Sequence, residues 1–378
     1  MNTESQIYQD LRKHLDKLPI GLPVTESGVE IRILQHLFTP EEAKMATQLS
    51  MIPEPSKRVH KRVKKTGIAI RELEQALDHM VSKGAIQVTK KDGETLYSVI
   101  PLAIGMYELQ VNRLTKGLAE DMFQYINEAF GEELHHTKIP QLRTIPVEKS
   151  IPVTQEHQVS TYDNIRQIVE SIERPIAVSN CICRQTKDII GDSCRQTDLR
   201  EVCLLFGDTA ENMLDLGISR SITKEEAFDI LRKAEKAGLV LQPQNTQQPE
   251  FVCCCCGDCC GILVSVKKFP RPAELYASNY YSTVDSELCT GCGDCVDICQ
   301  LDARAMVDSM AMVNLDRCIG CGNCVPICVP NAIQLQKKDK ELSPPKDMDS
   351  LYTKIMTQKA GRLNMLKMGM KMLLRLKI

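Results

Sequence analysis

One cysteine pattern occurs twice in the last third of this chain. It reads Cys289-x-x-Cys292-x-x-Cys295-x-x-x-Cys299, then Cys318-x-x-Cys321-x-x-Cys324-x-x-x-Cys328, at a constant offset of 29 residues. The glycines keep the same register, Gly291 and Gly293 matching Gly320 and Gly322. A cube of iron and sulfide needs four thiolates converging from different directions, and three closely spaced cysteines wrap three corners. In twin runs of this kind the fourth cysteine of each run ligates the other cluster. The spacing therefore predicts one 4Fe–4S cluster on Cys289, Cys292, Cys295 and Cys328, and a second on Cys318, Cys321, Cys324 and Cys299. Glycines between the ligands keep the loops bare and permit positive φ, which helps amide N–H groups reach the sulfurs. Zinc sites also use Cys-x-x-Cys pairs, and eight cysteines would fill two of them. The duplicated run with its fourth cysteine at x3 is the more specific signal, and it favours iron–sulfur.

Residues 284–336, carried by these two runs, resemble the bacterial two-cluster ferredoxins. The resemblance implies two 4Fe–4S clusters and electron transfer. The family's proline after the fourth cysteine is Gln300 in the first run and Val329 in the second, with Pro330 one place late.

Cysteine is the compositional outlier: none of the eighteen precedes residue 181. The start, MNTESQIYQDLRKHLDKL, is polar and has no apolar signal core. No stretch reaches the roughly 18 apolar residues of a spanning helix. A reducing cytoplasm, with thiolates kept for metal, is the expected setting. There is no phosphate-binding G-x-x-x-x-G-K-[ST] loop and no G-x-G-x-x-G fingerprint. Trp is absent and aromatics make up 4%, which leaves few stacking platforms for single-stranded nucleic acid. No catalytic motif of its own is visible. Electrons are expected to enter and leave through redox partner proteins.

Residues 28–104 read as helices followed by a two-stranded wing. Thr39-Pro40-Glu41-Glu42 opens one helix with a capping box. A further helix is expected over Ile68–Ser82, with strands Ala85–Val88 and Thr95–Val99 around Lys91-Asp92-Gly93. This order resembles a winged helix-turn-helix. Lys57, Arg58, Lys61, Arg62, Lys64 and Lys65 argue for DNA. Glu72, Glu74 and Asp78 on the helix that would enter the groove argue against it. Packing or partner contact is the preferred role. Met106–Phe130 is expected to continue as an amphipathic helix, and His135-His136 to be solvated surface residues rather than ligands.

After a linker-like, proline-dotted stretch (Ile139–Val153) come ten cysteines in eighty residues, too many for packing alone. They are Cys181, Cys183, Cys194 and Cys203, then 253–256, Cys259 and Cys260. Adjacent cysteines on extended backbone point to opposite sides, so ligands must be gathered from both groups. The pool expected to hold a metal centre is Cys181, Cys194, Cys203, Cys253, Cys256 and Cys259. A third 4Fe–4S cluster is preferred, with zinc and redox-active thiols as alternatives. Over roughly residues 20–340 the layout also resembles a group of bacterial and archaeal ferredoxin-like proteins with a winged-helix start, a C-x-C-R…C-L-x-F-G…multi-Cys centre and a two-cluster end.

The tail, 351–378, interleaves Lys354, Lys359, Arg362, Lys367, Lys371, Arg375 and Lys377 with Ile355, Leu363, Leu366, Met370, Leu373 and Leu374, and has no acidic residue. It suits an acidic partner, a membrane surface, or folding back on the chain.

The expected fold is α+β: a winged-helix-like domain (1–135), a Cys-rich central metal-binding domain (136–275), a two-cluster ferredoxin-like domain (276–340), and a linker with a basic amphipathic helix (341–378). The expected function is a ferredoxin-type electron carrier or oxidoreductase subunit. The alternative is a redox-sensing winged-helix transcription regulator.

Overall fold

The computed structural model describes residues 3–150 and 160–373, with side chains described for 4–150 and 160–361. The chain mixes helix and sheet and packs as two compact units, residues 1–137 with 352–378, and residues 138–351.

In the first unit, helices Thr3–Leu15, Val29–Leu37 and Pro40–Ala46 precede strand β1 (Glu54–Pro55), helices Ser56–Val63 and Ile70–Ser82, and strands β2 (Gln87–Lys91) and β3 (Glu94–Ser98). The strands form an antiparallel sheet of order β1-β3-β2. The Thr39 hydroxyl accepts from Glu42 N (3.3 Å), while the Glu42 carboxylate accepts from Thr39 N (2.8 Å), so the capping box forms. Asp92 and Gly93 both have positive φ (50° and 77°), the twist that a two-residue hairpin turn needs.

The segment from Met106 does not continue as one helix. A short 3₁₀ turn at Glu108–Gln110 ends with Asn112 in the left-handed region. The chain restarts at Lys116–Tyr125 with the Thr115 hydroxyl as cap. His136 is exposed as expected, whereas His135 is half-buried and its burial pushes the imidazole down to about 4.

The helix Met348–Leu373 is interrupted at Gly361 (φ 77°). Before that break, Lys359 Nζ donates to Glu133 (2.6 Å) and to the Leu18 carbonyl (3.2 Å), so this part of the tail folds back on its own unit. The tail side chains from Arg362 onward, and residues 374–378 altogether, lie outside the described residues. No helix among the described residues is long and apolar enough to cross a membrane.

The second unit is built on a five-stranded antiparallel sheet of order β6-β4-β5-β8-β7. Its strands are β4 (Ile176–Asn180), β5 (Glu201–Phe206), β6 (Arg220–Ile222), β7 (Val240–Pro243) and β8 (Phe251–Cys255). One face carries Val178, Val202, Leu204, Leu241 and Val252 into a core closed by Ile165, Ile168, Ala227, Leu231 and Ala234 from two helices. The stretch read as linker-like behaves otherwise. Ile145 and Val147 are fully buried in this core, and Leu142 and Ile145 bridge to Gln244 and Leu241. Arg143 pairs with buried Asp163 (2.5 Å), which also accepts from Asn279 (2.7 Å), tying the stretch to the chain that enters the twin runs. Residues 151–153 of it lie outside the described residues.

Beyond the sheet, β9 (Tyr280–Val284) pairs with β12 (Ile333–Lys337), and between them lies a hairpin of β10 (Arg304–Val307) and β11 (Met310–Val313). The ends of the twin-run segment are thereby held side by side, with one cysteine run on each side of the hairpin.

Candidate metal centres

The twin runs fold back on each other. Cys289, Cys292 and Cys295 line one cavity together with Cys328 from the other run, closed by Ala311 and Ile333. Cys299 in turn lies within electrostatic reach of Cys321 and Cys324, beside Cys318. The glycine register reappears as geometry: Gly291 and Gly320 have φ of 71° and 67°. A Cβ on Gly320 would lie 2.2 Å from the Tyr280 carbonyl oxygen, and one on Gly291 would lie 2.2 Å from that of Ser309. Gly320→Ala is expected to cost at least about 2 kcal/mol and to lower bound iron. Iron content of the purified variant checks this, and wild-type iron would refute it.

Donors and charge suit anionic sulfur. Ala311 N points at Cys289 Sγ (3.5 Å), Ala303 N at Cys299 Sγ (3.2 Å), and Ser282 Oγ lies 3.4 Å from Cys318 Sγ. Backbone N–H groups of Ala311 and Gly291 hold the Cys289 thiol below the usual range. Burial, reinforced by the neighbouring sulfurs, pushes Cys321 up. Arg304 is buried and interacts with Cys324 and Cys318 of one set and with Cys295 of the other. Its Nη2 donates to Ser282 Oγ (2.7 Å), and its Nη1 has no hydrogen-bond partner. A buried guanidinium among thiols, hydrogen-bonded to Cys324, fits a polyanionic guest.

The ten central cysteines sort by strand register. Cys203 on β5 pairs directly with Cys253 on β8, and Cys255 follows on the same face. Cys181 and Cys260 occupy the N-caps of helices Ile182–Ile189 and Gly261–Lys267, and Cys183 lies in the first turn of the former. Side-chain contacts run Cys181–Cys183–Cys260–Cys255–Cys253–Cys203. Contacts from Cys183 and Cys255, helped by the N–H groups of Leu263 and Ile262, push Cys260 well down despite burial. Gln242 Nε2 approaches Cys260 Sγ (3.8 Å), and the buried Tyr276 hydroxyl, near Cys260 and Cys255, has no partner of its own.

Cys254 and Cys256 point the other way, into the apolar core. Cys254 is a packing residue there. Cys256 meets Cys259 and Cys194, with Asp258 beside them. Of the six cysteines expected as a pool, Cys181, Cys203 and Cys253 thus lie in one group, and Cys194, Cys256 and Cys259 in another. Cys183, Cys255 and Cys260 belong to the first group and were not singled out by spacing. Period-two alternation from Cys253 points to Cys255, whereas nothing local points to Cys260.

The two cysteine-bearing parts touch. Gly257 N donates to the Gln300 side-chain oxygen (2.7 Å), and Asn323 Nδ2 donates to the Gly238 carbonyl (2.7 Å). Gln300, the residue after Cys299 where the ferredoxin pattern has proline, therefore ties this run to the loop after Cys256.

Residues 282–329 match the family model of the 4Fe-4S dicluster domain. The match supports 4Fe–4S binding by this part of the chain. No curated protein and no solved structure matches the chain.

Proposed function

We propose that this protein is a ferredoxin-type electron carrier, or the electron-transfer subunit of an oxidoreductase, with two 4Fe–4S clusters and a further iron–sulfur centre in the central part. Cys289, Cys292, Cys295 and Cys328 hold one cluster, and Cys318, Cys321, Cys324 and Cys299 the other. The six-sulfur group of Cys181, Cys183, Cys203, Cys253, Cys255 and Cys260 holds the additional centre. Such groups, when bound, take up and release single electrons. The observation that carries the reading is the cavity in which Cys328 joins the three ligands of the opposite run.

The chain's own residues set direction. Cys292 is exposed, and Leu288 and Val329, next in sequence to Cys289 and Cys328, are 47% and 89% exposed. We take this apolar, open edge as the docking face for a redox partner protein. At the other end the Gln300–Gly257 contact leads toward the central cysteines.

In the N-terminal unit we read the order of helices and strands as a winged helix used for protein contact. On Ile70–Ser82 the exposed side chains are Arg71, Glu72, Gln75, Asp78, His79 and Ser82, a face without the basic footprint that phosphate binding needs. The regulator alternative predicts a salt-dependent shift of a duplex from the protein's own promoter. The carrier reading predicts no shift at low salt in either redox state. It also predicts clusters that are reduced by dithionite and reoxidised with iron retained over repeated cycles. Clusters that fall apart on the first reduction, or a redox-dependent promoter shift, would replace this reading with the sensor.

A further inference from the structure

Cys194, Cys256, Cys259 and Asp258 each offer a ligand atom within 4.8 Å of all the others, and Cys194 Sγ and Cys256 Sγ are 3.7 Å apart. Four donors on one tetrahedral zinc, with Zn–S of about 2.3 Å, stand roughly 3.8 Å from one another. Ligands on the corners of an iron–sulfide cube stand further apart, because the metal–metal edge separates them. The chain supplies its own comparison. Among the described residues, no other three cysteine, histidine or acidic side chains gather this tightly, the eight twin-run cysteines and the six-sulfur group included.

Two further observations point to a cation. Asp258 Oδ2 accepts from Arg195 N (2.8 Å), which turns Oδ1 toward Cys194 Sγ (3.7 Å), so the carboxylate is oriented from outside as metal-binding carboxylates are. Behind the group lies Arg184, fully buried, its Nη2 on the Cys254 carbonyl (3.1 Å), its guanidinium facing Cys181 and Cys255 of the six-sulfur group as well as Cys256. A buried cation of this kind needs anions beside it. Three thiolates and a carboxylate around one divalent ion leave a net charge of −2, which Arg184, shared with the six-sulfur group, offsets in part.

We propose that Cys194, Cys256, Cys259 and Asp258 bind a single zinc ion, in a structural site just beyond the end of β8 and distinct from the six-sulfur group. Thiolates with one carboxylate form a closed tetrahedral zinc set. The ion pins the loop 191–200, which carries Cys194, to the Cys256-Gly257-Asp258-Cys259 turn, and that turn in turn holds Gln300 of the iron–sulfur domain. Zinc has no redox chemistry of its own. It therefore acts as a clamp between the two parts and leaves electron transfer to the other cysteines.

The test is zinc K-edge X-ray absorption on the anaerobically purified full-length protein, which sees zinc without interference from iron. The expected result is one zinc per chain, with three sulfur neighbours at about 2.3 Å and one oxygen at about 2.0–2.2 Å. Cys194→Ala should lower zinc at least tenfold while iron and sulfide stay at wild-type levels, and hydrogen exchange across 191–200 should rise. Substoichiometric zinc in the wild type would overturn the proposal. So would zinc without sulfur neighbours, loss of iron and sulfide in place of zinc from Cys194→Ala, or a Cys256–Cys259 disulfide in metal-free native protein. Absence of iron from the twin runs would sink the carrier reading and leave the zinc result standing on its own.

Discussion

Serine at Cys328 is expected to remove the same iron as serine at Cys289, although the two residues lie in different runs. Each single variant should lose about four iron per chain, the content of one cube. Because both cysteines line one cavity, the double variant Cys289→Ser/Cys328→Ser should lose no more than either single one. Cys318→Ser/Cys328→Ser should lose about twice as much. Non-additivity of this kind reports residues that act on one centre. Iron and sulfide assays on the four proteins check it. If Cys318 and Cys328 proved to be the non-additive pair, each run would bind its own cluster and the crossed arrangement would be wrong.

The second large effect concerns Arg304. A unit charge about 6 Å away at an effective dielectric of ~20 is worth about 3 kcal/mol, on the order of 100 mV for a one-electron couple. Reduction adds negative charge, and a buried cation favours the reduced form. Removing the cation must therefore lower the potential. Arg304→Gln is expected to shift the couples downward by on the order of 100 mV, with iron content unchanged. Arg304→Lys, which keeps the charge, should shift them far less. Because Arg304 faces Cys324 and Cys318 as well as Cys295, both couples should move. Potentiometric titration followed by EPR reads the result. An unchanged potential in Arg304→Gln would mean that solvent screens this charge.

What could be read from the sequence was local. The runs, their glycines, the Thr39 capping box and the Asp92-Gly93 turn all depend on residues a few positions apart. The central site depends on long-range register. Whether Cys253 or Cys254 faces Cys203 is decided by the pairing of β5 with β8, some fifty residues apart in the chain. Spacing alone therefore could not divide ten cysteines into two groups and a packing residue. The buried path of Leu142 to Val147 was hidden for a similar reason. Its prolines and charges look like a linker, but its hydrogen bonds go to β7 and to Cys321. In the sequence Gln300 is only a missing proline; its role depends on Gly257, which lies 43 residues away in the chain.

The most direct test of the central claim is the count of iron and acid-labile sulfide per chain in anaerobically purified protein, with zinc measured on the same sample. The account predicts at least about eight iron with matching sulfide from the twin runs, more once the six-sulfur group is filled, and one zinc. Little iron, no sulfide and several zinc ions per chain would contradict it, and would turn the twin runs into zinc sites.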